Sequence, residues 1–384
     1  MSITINGRPR SGRKRGRFGL ALAGGGPLGG VYEVGVLAAL DEAIEGLDLH
    51  DLDVYVGVSA GAFIAANLAN GFPTSQIARI FIAAASVEHP IRRTVFLQPA
   101  WREYLRSLAS LPGAVQSAVW DMVRHPLDRG VLGALNNLTR AIPTGLFNNR
   151  PIERFLAQLY NSEGHTNDFR ELRSKLFIVA ADLDTGDSVR FGAPGFDHVP
   201  ISKAIQASTA LPGLYPPVEI DEHFYVDGAL KRTLHASTAL DEGADLLLCI
   251  NPIVPYDARL AADAKARHRK LRNGGLPVVL SQTFRAIIHS RMNVGLKSYE
   301  RSFDDRNILL FEPDRDDSRI FFTNLFSYSN RRRICEHAYQ PTRADLLNHF
   351  ETLQPILASH GLELRQDILE DSNRHFDTNL DVPH

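Results

Sequence analysis

A G-x-S-x-G motif at residues 57–61 has the spacing of a nucleophile elbow. An apolar strand segment at 54–58 precedes it, and a helical segment at 60–70 follows. A sharp strand-to-helix turn exposes the hydroxyl of Ser59 and leaves no room for side chains two residues away on either side. The helix N-terminus then favours an alkoxide or a bound oxyanion. Ser59 is the predicted nucleophile, and the predicted elbow residues are Gly57, Ala60 and Gly61.

A glycine-rich loop, Gly-Gly-Gly-Pro-Leu-Gly at residues 24–29, follows an apolar strand segment and opens a helix. Its N–H groups can face an anion because no Cβ blocks the approach, and the helix dipole adds positive potential. It is not a Walker A loop, because no Gly-Lys-Ser/Thr follows. Its spacing satisfies G-x-G-x-x-G, so a dinucleotide site is an alternative. However, the second strand ends in residues 57–59 instead of the acidic residue that a ribose contact needs.

Two further motifs mean little when they stand alone. Asp227 ends a short strand segment and is followed by Gly228, a common loop pattern. Residues 207–213 read Ala-Ser-Thr-Ala-Leu-Pro-Gly, which is typical of a helix end stopped by proline.

Together and in this order, the four motifs resemble the patatin-like phospholipase family, and so does the Ala-Ala-Asp-Leu-Asp-Thr-Gly stretch at 180–186. The resemblance covers about residues 18–252. It implies a Ser59–Asp227 dyad that cleaves carboxylic esters of lipids or phospholipids through an acyl-enzyme, with no cofactor and no metal. It also implies an oxyanion hole made by the amides of the glycine loop, namely Gly24, Gly25, Gly26 and Gly29.

Three positions depart from the family pattern. Leu28 stands where the family usually carries Arg or Lys, Ala229 replaces the last glycine of D-G-G, and residues 233–235 replace an Asn-x-Pro-like segment. Without a cation beside the site, a neutral ester is an alternative to a phospholipid. A Ser–His–Asp arrangement using His235 is a further alternative, although a glycine loop ahead of the serine fits the dyad better. A catalytically silent lipid- or membrane-binding protein is the alternative from outside enzymes.

The elements that position these residues alternate between strand and helix, which predicts an α/β fold of three layers. We expect a mostly parallel sheet sandwiched by helices, with a helical insertion and a helical C-terminal region. The predicted strands occupy 18–23, 54–58, 176–181, 224–226, 245–250 and 308–311, and predicted helices include 31–44, 277–302 and 331–359.

Composition shifts along the chain suggest four parts. Residues 1–17 are predicted to be a basic disordered arm, and 18–256 the catalytic domain. Within that domain, proline-broken helical segments at 86–150, with Trp101 and Trp120, are predicted to form an insertion; a lid over an acyl channel is one interpretation of it, and ordinary core packing is the other. Residues 257–384 are predicted to be a mainly helical C-terminal extension, in which the polar stretch 257–275 is an exposed helix and linker.

The composition is that of an ordinary globular protein. The 384 residues include 44 % hydrophobic and 22 % charged residues, with 42 Lys and Arg against 44 Asp and Glu, for a net charge of −2. These values exclude disordered, collagen-like and coiled-coil chains and give no sign of a nucleic-acid partner. The two cysteines, Cys249 and Cys335, cannot build a disulfide framework, which favours a reducing, cytoplasmic compartment. Nothing indicates an oligomeric state.

Two nearly uncharged stretches, 18–40 and 54–72, are long enough to span a membrane. Their internal glycine turns predict buried strand–turn–helix units instead. Basic clusters at 8–17, 265–272 and 331–333, the last beside the aromatic run 320–328, predict peripheral contact with a membrane or lipid surface.

Overall fold

The structure is a computed structural model. It describes residues 1–9, 16–83, 98–101, 103–105, 109, 143–231, 234–260, 273–303, 305–317 and 330–376.

Eleven strands lie within these residues. In chain order they are β1 (Ser2–Asn6), β2 (Phe18–Leu22), β3 (Ile44–Glu45), β4 (Val54–Val58), β5 (Lys175–Asp182), β6 (Ser188–Phe191), β7 (Val218–Ile220), β8 (His223–Asp227), β9 (Leu246–Ile250), β10 (Asn307–Glu312) and β11 (Glu363–Leu364). Nine of them form one sheet in the order β1-β10-β9-β2-β4-β5-β8-β7, with β6 paired to β5. β3 and β11 form a separate two-stranded pair.

The middle of the sheet is parallel and its margins are antiparallel. β10, β9, β2, β4 and β5 run parallel to one another, whereas β1, β6, β7 and β8 pair in the antiparallel sense. Every residue of β2, β4 and β9 is buried, because these strands are covered on both faces and are therefore apolar throughout. The predicted α/β class with a mostly parallel sheet is confirmed.

Ten α-helices flank the sheet within the described residues. They are α1 (Gly26–Ala43), α2 (Ala60–Ala69), α3 (Thr74–Ala78), α4 (Arg150–Tyr160), α5 (Ile201–Ser208), α6 (Ala236–Asp241), α7 (Gly275–Ser302), α8 (Arg331–Asn348), α9 (Phe350–Ser359) and α10 (Gln366–Glu370). The stretch 18–40 folds as β2 and most of α1, and 54–72 contains β4 and α2, so the strand–turn–helix prediction is confirmed. None of the described helices is long and apolar enough to cross a membrane.

The prediction of a disordered arm at 1–17 is wrong for its first residues. β1 pairs with β10, from Ser2 opposite Glu312 to Asn6 opposite Ile308. The pairing is a tertiary effect: β1 completes a sheet edge formed by residues some 300 positions away, and local charge does not report such a partner. Residues 10–15 of the arm lie outside the described residues.

The predicted boundary at residue 256 does not separate two units. β10 lies in the main sheet beside β9, α8 packs against α1, and β11 pairs with β3. The C-terminal region is mainly helical, as predicted, and contains the predicted strand 308–311 within β10. It belongs to the same fold because the sheet continues from β9 into β10.

Several predictions fall largely on residues that the structure does not describe. Of the insertion at 86–150, only 98–101, 103–105, 109 and 143–150 are described, so its role as a lid stays a prediction. Trp101 is exposed, and Trp120 lies outside the described residues. The aromatic run 320–328 and most of 257–275 also lie outside them. Cys249 and Cys335 are both buried and unbridged.

Candidate active site

Ser59 lies at the turn between β4 and α2, where the sequence places the elbow. Its backbone has φ 54° and ψ −121°, a strained conformation for a residue with a side chain. The two flanking glycines permit the turn. A Cβ built on Gly61 would lie 2.6 Å from the carbonyl oxygens of Leu22 and Ala23, and one built on Gly57 would lie 2.7 Å from the carbonyl oxygen of Gly61.

Asp227, at the end of β8, accepts the hydrogen bond of the Ser59 hydroxyl. The distance from Ser59 Oγ to Asp227 Oδ2 is 2.6 Å. The other carboxylate oxygen, Oδ1, accepts the backbone N–H of Ala229 at 2.9 Å. The N–H of Asp227 itself donates to the carbonyl of Ala210 at 3.1 Å. The carboxylate is therefore held on both oxygens and at its backbone.

The sheet register brings these two residues together across β5. Val58 of β4 lies opposite Val179 of β5, and the next residue of β5, Ala180, lies opposite Asp227 of β8. The turn after β8 also needs a glycine, because a Cβ on Gly228 would lie 2.9 Å from the carbonyl carbon of Val179. The two residues are 168 positions apart in sequence but become neighbours through one intervening strand.

Ser208, the last residue of α5, links the elbow to the sheet. The backbone N–H of Ser59 donates to Ser208 Oγ at 2.8 Å, and the Ser208 hydroxyl donates to the carbonyl of Val179 at 2.6 Å. Taken alone, residues 207–213 predict only a helix end, and the sequence does not predict this contact. The signal lay in the family resemblance, because this small-residue stretch is part of the motif set.

The site is secluded from water. Ser59 is 6 % exposed and Asp227 is 3 % exposed. Burial raises the pKa of Asp227 to about 6, although the hydrogen bonds from Ser59 and Ala229 act in the opposite direction. A more basic carboxylate is a better acceptor for a hydroxyl proton, and above about pH 6 this one is ionised.

The glycine loop lies directly against Ser59. A Cβ on Gly24 would be 3.1 Å from Ser59 Cβ, and Gly25 caps α1, which begins at Gly26 and not at residue 31 as predicted. Gly26 has φ 61°. Among the described residues, none accepts a hydrogen bond from the N–H of Gly25 or Gly26. These amides at the start of a helix are suited to an oxyanion.

Gly29 does not share that property, so its predicted place in the oxyanion hole is corrected. Its N–H donates to the carbonyl of Gly25 at 3.1 Å, which is the ordinary hydrogen bond of an α-helix to the residue four positions earlier. Its lack of a side chain serves packing instead, because a Cβ there would lie 3.1 Å from Pro252 Cγ.

His235, the alternative base, is buried at the start of α6 in a left-handed conformation with φ 44°. Its side chain lines a cavity shared with α7. The Ser59 hydroxyl donates its hydrogen bond to Asp227.

One group of side chains has the composition of a metal site. Asp182, Asp184 and His223 place ligand-type atoms within 4.8 Å of one another. Their hydrogen bonds account for this proximity: Asp182 accepts the N–H of Asp184 at 2.7 Å and contacts His223 Nδ1 at 3.1 Å. These contacts link the turn after β5 to the first residue of β8.

Comparison with known proteins identifies the family to which the chain belongs. The family model of the patatin-like phospholipases matches residues 20–240, more than half of the chain. An uncharacterized NTE family protein of Mycobacterium bovis is 35 % identical over 77 residues, which are 20 % of this chain and 12 % of that protein, and one of Mycobacterium tuberculosis matches equally. The chain thus spans about an eighth of the length of these curated relatives.

Two solved structures are similar over most of the chain. VipD from Legionella pneumophila has a TM-score of 0.36 and 14 % identity, covering 91 % of this chain and 74 % of VipD. The type III effector protein ExoU from Pseudomonas aeruginosa has a TM-score of 0.38 and 16 % identity, covering 90 % and 54 %. With the family match extending from β2 through α6, the chain belongs to the patatin-like phospholipase family.

Proposed function

We propose that this protein is a serine hydrolase that cleaves carboxylic esters of lipids, with Ser59 as nucleophile and Asp227 as general base. The observation that carries the proposal is the 2.6 Å hydrogen bond from Ser59 Oγ to Asp227 Oδ2 in a buried site. Membership of the family supports a lipid substrate.

In the acylation step, Ser59 Oγ attacks the ester carbonyl carbon while its proton passes to Asp227 Oδ2. The carbonyl oxygen becomes an oxyanion that accepts hydrogen bonds from the free amides of Gly25 and Gly26, with Gly24 lining the same loop. One such donor contributes about 3 kcal/mol to the transition state. The intermediate then collapses, and the alcohol leaves with the proton returned by Asp227.

In the deacylation step, water attacks the carbonyl carbon of the acyl-enzyme and gives its proton to Asp227. The second tetrahedral intermediate breaks the bond to Ser59 Oγ, which recovers the proton from Asp227. The products are a free carboxylic acid and the original dyad. Asp227 thus acts as base and then as acid in each half-reaction.

The departure at Leu28 bears on the substrate. The side chain beside the glycine loop is buried and apolar instead of cationic, so this loop offers no charge to a phosphate. We therefore propose that the acyl ester is the recognised group, in phospholipids, lysophospholipids or acylglycerols. A hydrolysis panel across these classes and short acyl esters distinguishes them.

The test is Ser59→Ala, which should abolish hydrolysis of p-nitrophenyl acyl esters and labelling by a fluorophosphonate. The matched control is Ser359→Ala, which changes a serine that bonds only the carbonyl of Ile356 at the end of α9. It should retain both activities. Unchanged hydrolysis in Ser59→Ala contradicts the proposal. A parent protein that binds lipid but turns over no ester in the panel is instead the catalytically silent alternative.

A second pair of variants tests the base. Asp227→Asn should be nearly as damaging as Ser59→Ala, because the neutral amide cannot accept the hydroxyl proton, whereas His235→Ala should be mild. A more severe loss in His235→Ala would exclude the dyad.

A further inference from the structure

Helix α7 carries an unusual share of the apolar surface of this protein. It is the longest helix among the described residues, with 28 residues. Of the twelve large hydrophobic side chains that are exposed in the described structure, five lie on it, with 43–69 % of their surface open. They are Val279, Leu280, Phe284, Ile287 and Val294.

Four of these side chains form one line along the helix. Leu280, Phe284, Ile287 and Val294 follow one another at steps of four, three and seven residues, and such steps return to the same side of an α-helix. We call these four the outer stripe. The helix anchors itself by an adjacent side instead, where Ile288 and Met292 are buried and Met292 packs in the core cluster that includes residues of β9 and β10.

The sequence around the outer stripe is strongly basic. Residues 275–302 contain four basic residues and a single acid, Glu300. One of the four, Arg285, donates to the carbonyl of Val254. Within the helix, Arg291 occupies the position on the stripe between Ile287 and Val294 and is exposed. A helix with four basic residues and one acid, whose apolar line includes an exposed arginine, has the pattern of a helix that lies in the interface of an anionic membrane.

The outer stripe borders a cavity that also touches the segment following Asp227. This cavity of about 550 Å³ lies between α7 and the chain that follows Asp227. Val294 of the stripe and Arg291 line one wall, and Lys231 and His235 line the other. A lipid surface that covers the stripe would therefore also reach this cavity. One residue of its wall, Lys231, follows the proposed base by four positions in sequence.

We propose that the outer stripe of α7 docks the protein on a phospholipid membrane that contains anionic lipids. The four apolar side chains enter the boundary between headgroups and acyl chains, while Arg291 contacts lipid phosphates. The inference rests on the proposed function for the reason why a lipid surface is approached. It identifies the face that meets that surface.

The test measures binding without catalysis, in the full chain carrying Ser59→Ala. Co-sedimentation with phosphatidylcholine vesicles, with and without phosphatidylglycerol, should show tighter binding to the vesicles that contain phosphatidylglycerol. Adding Phe284→Ser and Ile287→Ser should weaken that binding by roughly tenfold or more, because two half-exposed apolar side chains no longer enter the membrane. The matched control is Leu183→Ser, an exposed leucine on another part of the surface, which should bind like its parent.

The stripe side chains are exposed, so the thermal unfolding midpoint of the double variant should equal that of its parent. If it does not, Leu280→Ser with Val294→Ser gives the same test at the two ends of the stripe. Equal vesicle binding by variant and parent overturns the inference, and so does an absence of binding by the parent. A self-association that the variant abolishes, without vesicle binding, assigns the stripe to a second copy and overturns it too. Ester hydrolysis by the unmodified chain reports separately on the proposed function.

Discussion

At the scale of single residues, the carboxyl of Asp227 is expensive for the fold. Its pKa rises on folding from about 3.9 to about 6 because of burial. The native state therefore holds the proton of Asp227 more tightly than the unfolded chain does. This preference stabilises the native state fully below about pH 4, and the stabilisation is lost as pH rises through 6. The difference of about two pH units corresponds to about 3 kcal/mol at neutral pH.

Asp227→Asn should accordingly stabilise the protein where the native carboxylate is charged. We expect the free energy of unfolding to rise by about 1–3 kcal/mol at pH 8 and to change little near pH 4. Urea unfolding at the two pH values measures this, with the exposed Asp316→Asn as the matched control. A loss of stability of equal size at both pH values would mean that the hydrogen bonds of the carboxylate outweigh the cost of its burial.

The same pKa sets the pH dependence of catalysis. Because the base must be ionised, kcat/KM should rise with pH, reach half of its maximum near pH 6 and then stay level, as the free-enzyme pKa dictates. Initial rates on a soluble short-chain ester, measured across the acidic and neutral range, give the profile. The profile of His235→Ala shows which of the two residues is the base. It should keep the midpoint of the parent.

At the scale of elements, the packing of α2 on β2 fixes where the nucleophile stands. Gly61→Ala would place a Cβ 2.6 Å from two backbone carbonyl oxygens, which no rotamer change relieves. We expect it to destabilise the protein by at least about 2 kcal/mol and to lower activity through displacement of Ser59. Urea unfolding midpoints and ester hydrolysis measure the two effects.

Gly295→Ala is the matched control within a helix. The nearest atom to a Cβ at that position lies 3.7 Å away, on Tyr299, so the change should be neutral or should stabilise α7 by up to about 1 kcal/mol. If Gly61→Ala unfolds at the same urea concentration as the parent, the close approach of α2 and β2 is not a constraint on the elbow.

The elements differ in how far the sequence predicts them. β2, β4 and β9 are covered on both faces, so each is a continuous apolar run that stands out in the sequence. β6 and β7 are short edge strands with exposed positions, and their sequences carry no such signal. The sequence predicts α1 from residue 31 because the glycines of 24–30 indicate a turn, yet proline fits the first turn of a helix, where Pro27 lies.

The residues of the site also differ in how far the sequence predicts them. Ser59 and Asp227 lie in motifs whose spacing follows from tight turns, so the sequence alone predicts these two individual residues. The contact of Ser208 with the elbow depends on the pairing of β4, β5 and the end of α5, which no local pattern encodes. The motif alone predicts that Gly29 belongs to the oxyanion hole. Only the position of the helix start shows that its N–H is already used.

At the scale of the whole molecule, one sheet joins the two ends of the chain. β1 from the N-terminal region covers β10 from the C-terminal region, and β10 in turn covers β9, which lies beside β2. The sheet crosses the predicted boundaries between arm, domain and extension, because distance along the sequence does not measure distance across a sheet. The dyad lies on β4 and β8, beyond β2 from this edge, so the edge contributes mainly to stability.

Deleting residues 1–6 removes β1 and leaves the backbone groups of Asn307–Glu312 unpaired along one edge of the sheet. We expect a lower thermal unfolding midpoint and self-association, because a bare edge strand of buried apolar residues pairs with other chains. The specific ester hydrolysis of the folded monomer should stay close to that of the full chain. Differential scanning calorimetry and light scattering measure the first two effects, with Ser2→Ala, an exposed position of β1, as the control. An unchanged midpoint would mean that residues 1–6 behave as the free arm that their charged neighbours suggest.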